Sequence, residues 1–297
     1  MISILIPEHN FDCVRLVGEL LMQCQDAGIT YEIIVMDDAS TLHTEKNKQI
    51  GNFPCCEFLT TDTNIGQATV RNRLAKIAKY PHLLFIDCDA AIVDNHFIKR
   101  YLDNIGKADV IIGGVTYSHV EPPIDKYLRW YYGKKRESSS AHKREKETIR
   151  LSFNFLIEKD VQLKYPFNED FTDYGHEDTI IGYLLKQNGV KLMHIDNPLI
   201  HTGLDENHVF LAKSRKAVEK YVTNKAFSSE EIADQIKIFR AFKRVKGIRG
   251  LLGFKYRIAG KMMENNLCGN NPSLFIFDLY RLCYLCYFYN QERKHRK

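Results

Sequence analysis

HLLFIDCDAAIVD, residues 82–94, holds an apolar run that stops at two acids. Leu83 to Ile86 are apolar without interruption, and Asp87 and Asp89 follow with one residue between them. A short run apolar on both faces reads as a central strand of a parallel α/β sheet, covered on both sides. A carboxylate is costly to take out of water unless a cation or a set of donors meets it. Ligands of open α/β sheets gather at the carboxyl ends of such strands. Two acids at such an end offer oxygen ligands to a hard divalent cation and leave coordination positions for a diphosphate. Surface or capping aspartates are the plainer reading of D-x-D taken alone, so the flanking chain has to decide.

Working outward, the first 115 residues alternate apolar strands with helical patterns. ISILIP is followed by an amphipathic run from Asp12 to Ala27, then YEIIVMDDAS, CEFLTT, a helical pattern from Gly66 to Lys79, the opening stretch, and ADVIIGG. This βαβ rhythm predicts an α/β fold with a mostly parallel central sheet flanked by helices. GKKRESSSAHKREKETIR, residues 133–150, is polar and dense in charge, and reads as a solvated loop or as a lid over a site. LSFNFLI returns to strand character. A polar loop, YPFNEDFTDYGHED, leads into the helical TIIGYLLKQNG, and VKLMHID and NPLIHTG close the core.

The chain of 297 residues, 44% hydrophobic and 27% charged, suits one large domain with an appendage. Its formal net charge of +5 is too modest to imply a nucleic-acid partner. Eight cysteines show no secreted-type spacing and no leader pattern opens the chain, so reduced thiols and a cytoplasmic location are expected. No stretch has the length and apolarity of a transmembrane helix.

Further acids sit at other strand ends. Asp37 and Asp38 end IIVMDDAS, where they read either as helix caps or as acceptors for a base or ribose. No GxGxxG is present, which excludes a Rossmann dehydrogenase. In TNIGQATVRNRLAKIA, Asn64 and Gly66 make a turn and Arg71 lies within a helix, either as a surface cation or close to the acids and a phosphate. The order ISILIPEHN, VMDDAS, N-x-G-x-x-x-x-R-N, FIDCDA, GHEDTIIGYLL closely resembles the family-2 glycosyltransferases of the GT-A fold. Each motif is weak, but the ordered set over residues 1–203 is specific. Ala39 stands where that family usually has glycine in its DDGS turn.

The resemblance implies an inverting, metal-dependent transfer from a nucleotide sugar, UDP-linked by preference, by a hexosyl- or N-acetylhexosaminyl-transferase. It implies that Pro7, His9 and Asp38 line the base, with Asp37, Asn64, Gly66 and Arg71 supporting that pocket. Asp87, Cys88 and Asp89 fall at the donor's ribose and diphosphate, with Asp87 and Asp89 as ligands of Mn²⁺ or Mg²⁺ and His201 as a third. Asn154 falls near the sugar. Glu177 and Asp178 form the acid pair that supplies the base, with Asp178 preferred; as plain residues they also suit a helix N-terminus. The expected division is a core over 1–206, with a nucleotide-binding half at 1–115 and an acceptor half at 116–206, and a helical extension over 207–297. A non-catalytic nucleotide-sugar- or glycan-binding protein on the same fold is the alternative. A nucleotidyltransferase is disfavoured because no glycine-rich phosphate loop follows the first strand.

The extension is unlike the rest. Lys237 to Lys261 holds nine Lys or Arg and no acid, and residues 273–289 are apolar and aromatic. A packed appendage with a solvated basic face and a surface docking peripherally on anionic lipid both fit this pattern. Docking would go with a lipid-linked rather than a free saccharide acceptor, as in cell-surface polysaccharide assembly. Cys283 and Cys286 form a C-x-x-C without a second ligand pair, which does not point to zinc.

Overall fold

The computed structural model describes residues 1–147, 149–170 and 175–295. Residues 171–174 of the polar loop, position 148 and the last two residues lie outside them. The chain forms two compact units: residues 1–118, 137–173 and 181–203 make the first, and residues 119–136, 174–180 and 204–297 the second.

The first unit is built on strands β1 (Ile2–Glu8), β2 (Tyr31–Asp37), β3 (Cys56–Thr60), β4 (His82–Ile86), β5 (Ala90–Ala91), β6 (Val110–Ile112), β7 (Val115–Thr116), β8 (Asn154–Glu158), β9 (Leu192–His194) and β10 (Leu199–His201). Seven of them form one sheet in the order β3-β2-β1-β4-β8-β6-β9. β3, β2, β1 and β4 run parallel. β8 is antiparallel to both β4 and β6, and β9 returns parallel to β6. The sheet is therefore mixed and mostly parallel, as the βαβ rhythm predicts.

Side chains alternate across a strand, so a strand covered on both faces must be apolar at every position. Ile4, Ile6, Ile33, Val35, Leu84 and Ile86 enter one core, which the helix Val14–Asp26 covers with Leu16, Val17 and Leu20. Leu5, Ile34, Leu83, Phe85 and Phe155 enter the opposite core, which the helix Gln67–Ile77 covers with Val70 and Leu74. Each such side chain, fully buried, contributes about 1.5–3 kcal/mol relative to leaving it exposed. The apolar run at residues 83–86 is thus central in the sheet, and its acids emerge at the sheet's carboxyl edge.

A second, three-stranded sheet of order β5-β10-β7 sits beyond that edge. β5 begins immediately after Asp89. β10 pairs with it antiparallel, setting His201 opposite Ala90.

The 133–150 segment is more ordered than its composition implies. The helix Tyr127–Arg136 takes in its beginning, and a short helix, Ala141–Arg144, follows. In the first unit the Arg144 guanidinium donates to the carbonyls of Gly113 (3.0 Å), Ile195 (2.7 Å) and Ser139. The carbonyls of Gly113 and Ile195 fasten this segment to the chain just past β6 and β9, which fits a docked strap better than a solvated loop.

The second unit is helical, with Asn207–Thr223, Lys237–Arg244, Arg249–Leu267 and Leu274–His295 as its principal helices. Leu128, Phe210, Leu211, Met263, Leu267, Phe277 and Tyr280 form one apolar cluster of its core. A Cβ on Gly253 would stand 3.1 Å from the backbone of Tyr287, so glycine lets the last two helices approach closely. Among the described residues no helix is long and apolar enough to cross a membrane. Cys283 and Cys286 are buried in the last helix, and loss of water pushes the Cys286 thiol up to about 12.

Asn154 belongs to the sheet. It is fully buried; its Oδ1 accepts from the Tyr101 hydroxyl at 2.5 Å and its Nδ2 donates to the Gly114 carbonyl. Both ends of the amide are engaged, so the side chain is not presented to a sugar. Asn154→Ala should lower the unfolding free energy by about 1–3 kcal/mol, because it strands buried partners. Urea unfolding reads this directly, and an unchanged midpoint would contradict the assignment.

Candidate active site

At the ends of β1 and β2, Asp37 and Asp38 shape the loops. Asp38 accepts from the backbone N–H of Ile65 (2.7 Å, Oδ1) and of Gly66 (2.9 Å, Oδ2). Gly66 has φ +85°, a left-handed conformation suited to glycine, and the helix Gln67–Ile77 starts directly after it. Asp38 thus orders the turn from which that helix begins. Asp37 accepts from the Ser40 N–H (2.8 Å) and the Thr44 hydroxyl (3.1 Å). Between these acids and Ser40, Ala39 holds φ +55°, which explains why glycine is usual in this turn. His9 Nδ1 lies 2.9 Å from the Asp38 carbonyl, which also accepts from the Asn64 amide at 3.3 Å. Pro7 is buried at the end of β1, whereas His9 and Asn64 are exposed at the rim.

Glu8, given no role by sequence reasoning, is 2% exposed in this cluster. Its Oε1 accepts from the Phe11 N–H at 2.7 Å, and the Ser40 hydroxyl reaches Oε2 at 3.3 Å. Loss of water is the main reason its carboxyl is pushed up to about 7, and the neighbouring Asp37 charge adds to it. An acid inside a strand otherwise buried at every position was the available signal.

At the end of β4, Arg71 is 2% exposed and donates to Asp87 Oδ1 at 2.7 Å, where Gln67 also reaches at 3.3 Å. The guanidinium lies 5.2 Å from the centre of the Phe167 ring. Loss of water raises the Asp87 carboxyl above its ordinary value, and Arg71 pulls the other way. Arg71 is therefore a buried partner of the first acid rather than a surface cation. Cys88 is half-buried against the first core.

Asp89 is held differently. Its Oδ2 lies 2.8 Å from His201 Nε2. Its carbonyl accepts from both the N–H (2.9 Å) and the hydroxyl (2.6 Å) of Thr202. His201 Nδ1 meets the Tyr117 hydroxyl at 3.1 Å, which fixes the ring so that Nε2 faces the acid. Phe153 packs edge-on to the same ring at 5.2 Å, and its carbonyl accepts from the Asp87 N–H at 2.9 Å. Phe153 does this at φ +68°, a strained conformation for an aromatic residue, and such strain concentrates at functional sites. A Cβ on Gly203 would stand 2.2 Å from Asp89 Oδ2, so glycine is required there. Tyr117, Phe153, Thr202 and Gly203 carried no sequence signal of this role, because only long-range pairing brings them to Asp89.

Among the described residues no three His, Cys, Asp or Glu side chains form a ready cation cluster. Asp89 and His201 are brought together. Asp87 is turned to Arg71 through Oδ1. A carboxylate oxygen facing an oriented imidazole nitrogen still suits a divalent cation such as Mn²⁺ when phosphate oxygens complete the shell.

Glu177 and Asp178 belong to the second unit and open the helix Glu177–Gln187. Glu177 accepts from the Gly175 N–H at 3.3 Å, and Asp178 Oδ1 accepts from the Thr179 N–H at 2.7 Å. Gly175 and His176 precede them at φ +141° and +71°. The His176 ring sits 5.3 Å from Phe239, fixing the approach to the acids.

Residues 3–165 match the family model described as Glycosyl transferase family 2. The chain belongs to this family and is a glycosyltransferase of GT-A architecture. No curated protein sequence matches it. Among solved structures it is similar to S. aureus TarS 1–349 in complex with UDP-GlcNAc, at 16% identity and TM-score 0.52 over 98% of this chain and 92% of that one. It is also similar to the mannosyltransferase PcManGT from Pyrobaculum calidifontis, in complex with GDP-Man and Mn²⁺. That match has 13% identity and TM-score 0.54, over 100% of this chain and 88% of that one. Against the longer TarS chain the identity is 18% and the TM-score 0.50; 83% of this chain is covered but 44% of that one, so this chain spans less than half its length.

The raised Glu8 carboxyl has a definite sign. Its neutral form is favoured in the folded chain, so its contribution is present below the unfolded value of 4.5 and is lost as pH rises through about 7. Glu8→Gln keeps an acceptor for Phe11 and cannot charge. Between acidic and neutral pH the variant should therefore lose less stability than the parent, by about 1–3 kcal/mol. Urea unfolding at the two pH values measures this, and equal losses would remove Glu8 as the titrating group.

Proposed function

We propose that this protein transfers a sugar, with inversion, from a nucleotide-sugar donor to a saccharide or lipid-linked acceptor in glycan assembly, with a UDP-sugar favoured. The observation that carries this is the Asp89–His201 contact at the carboxyl end of β4, beside the Arg71–Asp87 pair. Structures of the same architecture hold UDP-GlcNAc in one case and GDP-Man with Mn²⁺ in another, which supports a donor of this class.

The roles follow from chemistry. His9, Asn64 and the loops ordered by Asp37 and Asp38 form the rim that receives the nucleotide. Arg71 pairs with Asp87 and aims it. Asp89 and the Tyr117-oriented His201 are the ligands for Mn²⁺ or Mg²⁺. That cation, when bound, offsets the negative charge growing on the departing nucleoside diphosphate. Asp178, with Glu177 beside it, takes the proton of the attacking hydroxyl, a contribution of about 10²–10⁴-fold. One displacement on the face opposite the leaving group inverts the anomeric centre.

Release of nucleoside diphosphate from a panel of UDP- and GDP-sugars, with Mn²⁺ and saccharide acceptors, tests this. Asp178→Asn should cut kcat by about 10²–10⁴-fold while donor binding persists. Undiminished release in that variant would take the base role from Asp178. Absence of release from every donor would return the chain to a nucleotide-sugar-binding role.

A further inference from the structure

The apolar, aromatic stretch at residues 273–289 is the sequence's most obvious hydrophobic segment. The second unit turns Phe277, Tyr280, Cys283, Leu285 and Cys286 of this stretch inward, where they are buried. A different apolar surface is left outside. On the helix Arg249–Leu267, Gly253, Gly260, Met263 and Leu267 are buried. Leu251, Phe254, Ile258 and Met262 are 66%, 54%, 69% and 70% exposed. At 3.6 residues per turn these four fall on one face, opposite the buried one. An exposed apolar stripe on a packed helix marks an interaction surface.

The charges around it name the partner. Lys255 and Lys261 flank the stripe and are exposed, and no acid occurs between Lys237 and Met263. The next acid, Glu264, is turned to Arg215 at 3.0 Å and also lies 3.6 Å from Lys261. Alongside the stripe, a groove of about 520 Å³ runs between this helix and Leu274–His295. Phe254, Arg257, Tyr287, Asn290, Arg293 and Lys294 line it, so three cations stand beside an exposed aromatic ring.

We propose that this face docks the protein on an anionic phospholipid surface. Leu251, Phe254, Ile258 and Met262 enter the boundary between headgroups and acyl chains. Lys255 and Lys261, with Arg257, Arg293 and Lys294 in the groove, bind the lipid phosphates. Apolar insertion flanked by cations is the arrangement that holds an interfacial helix. A second copy of this chain would set the same cations against one another across a two-fold axis, which disfavours self-association. Nucleic acid would meet the cations but leave four apolar side chains without a partner. The surface is independent of the nucleotide chemistry.

Co-sedimentation of the full chain with vesicles tests this, using phosphatidylcholine alone and phosphatidylcholine mixed with phosphatidylglycerol. The protein should bind the anionic vesicles, and added salt should weaken the binding. Leu251→Glu/Ile258→Glu should reduce partitioning by at least about tenfold. Lys255→Gln/Arg257→Gln/Arg293→Gln should reduce it by about a hundredfold. These positions are exposed, so circular dichroism should be unchanged in both variants. Failure to bind anionic vesicles overturns the proposal. So does full binding by either folded variant, or a dimer of the parent chain that the Leu251→Glu/Ile258→Glu pair dissolves. Nucleotide binding measured on the same preparations separates failure of this surface from failure of the donor site.

Discussion

The site depends on a ladder two residues long. β5 leaves the D-x-D turn and pairs with β10, and that pairing sets His201 against Asp89 across 112 positions of sequence. Everything near it serves the contact. Thr202 holds the Asp89 carbonyl, Gly203 leaves room for the carboxylate, and Tyr117 and Phe153 fix the imidazole ring. A carboxylate and an imidazole aimed at one point are held there before any ligand arrives, so little reorganisation remains for binding. Backbone strain at Phe153 is tolerated because the surrounding sheet over-determines it.

The two aspartates of D-x-D have separate tasks. Asp87 faces a buried arginine and is bound into the protein, while Asp89 faces His201. This division follows from β4 itself. Successive residues point to opposite sides, but residues two apart share a side only while the chain stays extended, and here it turns after Ile86. Asp37 and Asp38 divide in the same way, one tying down the turn that follows and the other ordering the start of the Gln67–Ile77 helix. In each pair the sequence shows two acids, and the backbone decides which partner each one meets.

Strands β1, β2, β4 and β8 were legible because burial on both faces forces unbroken apolar runs. Their order in the chain and the motifs at their ends placed Asp37, Asp38, Asp87 and Asp89 at strand ends, with Arg71 on a helix beside them. His201 was legible as a candidate through family resemblance, but its partners Tyr117 and Phe153 were not, since register across distant strands leaves no local pattern. Asn154 was put near the sugar by the family resemblance, whereas its amide closes hydrogen bonds inside the sheet. Composition left residues 133–150 as loop or lid, because an arginine finding backbone carbonyls is invisible to it. In the extension, hydrophobicity alone picked the helix that packs inward. The exposed stripe of Leu251, Phe254, Ile258 and Met262 lay hidden within a basic run until the buried face of its helix was known.

We propose that the Asp89–His201 contact is half of a cation site completed by a nucleoside diphosphate. Isothermal titration of the full chain with UDP and GDP, in Mn²⁺ and again in EDTA, with Asp89→Ala in parallel, tests it most directly. Binding that requires the metal and disappears in Asp89→Ala is the predicted result. Nucleotide binding that is indifferent to both EDTA and the substitution would contradict it.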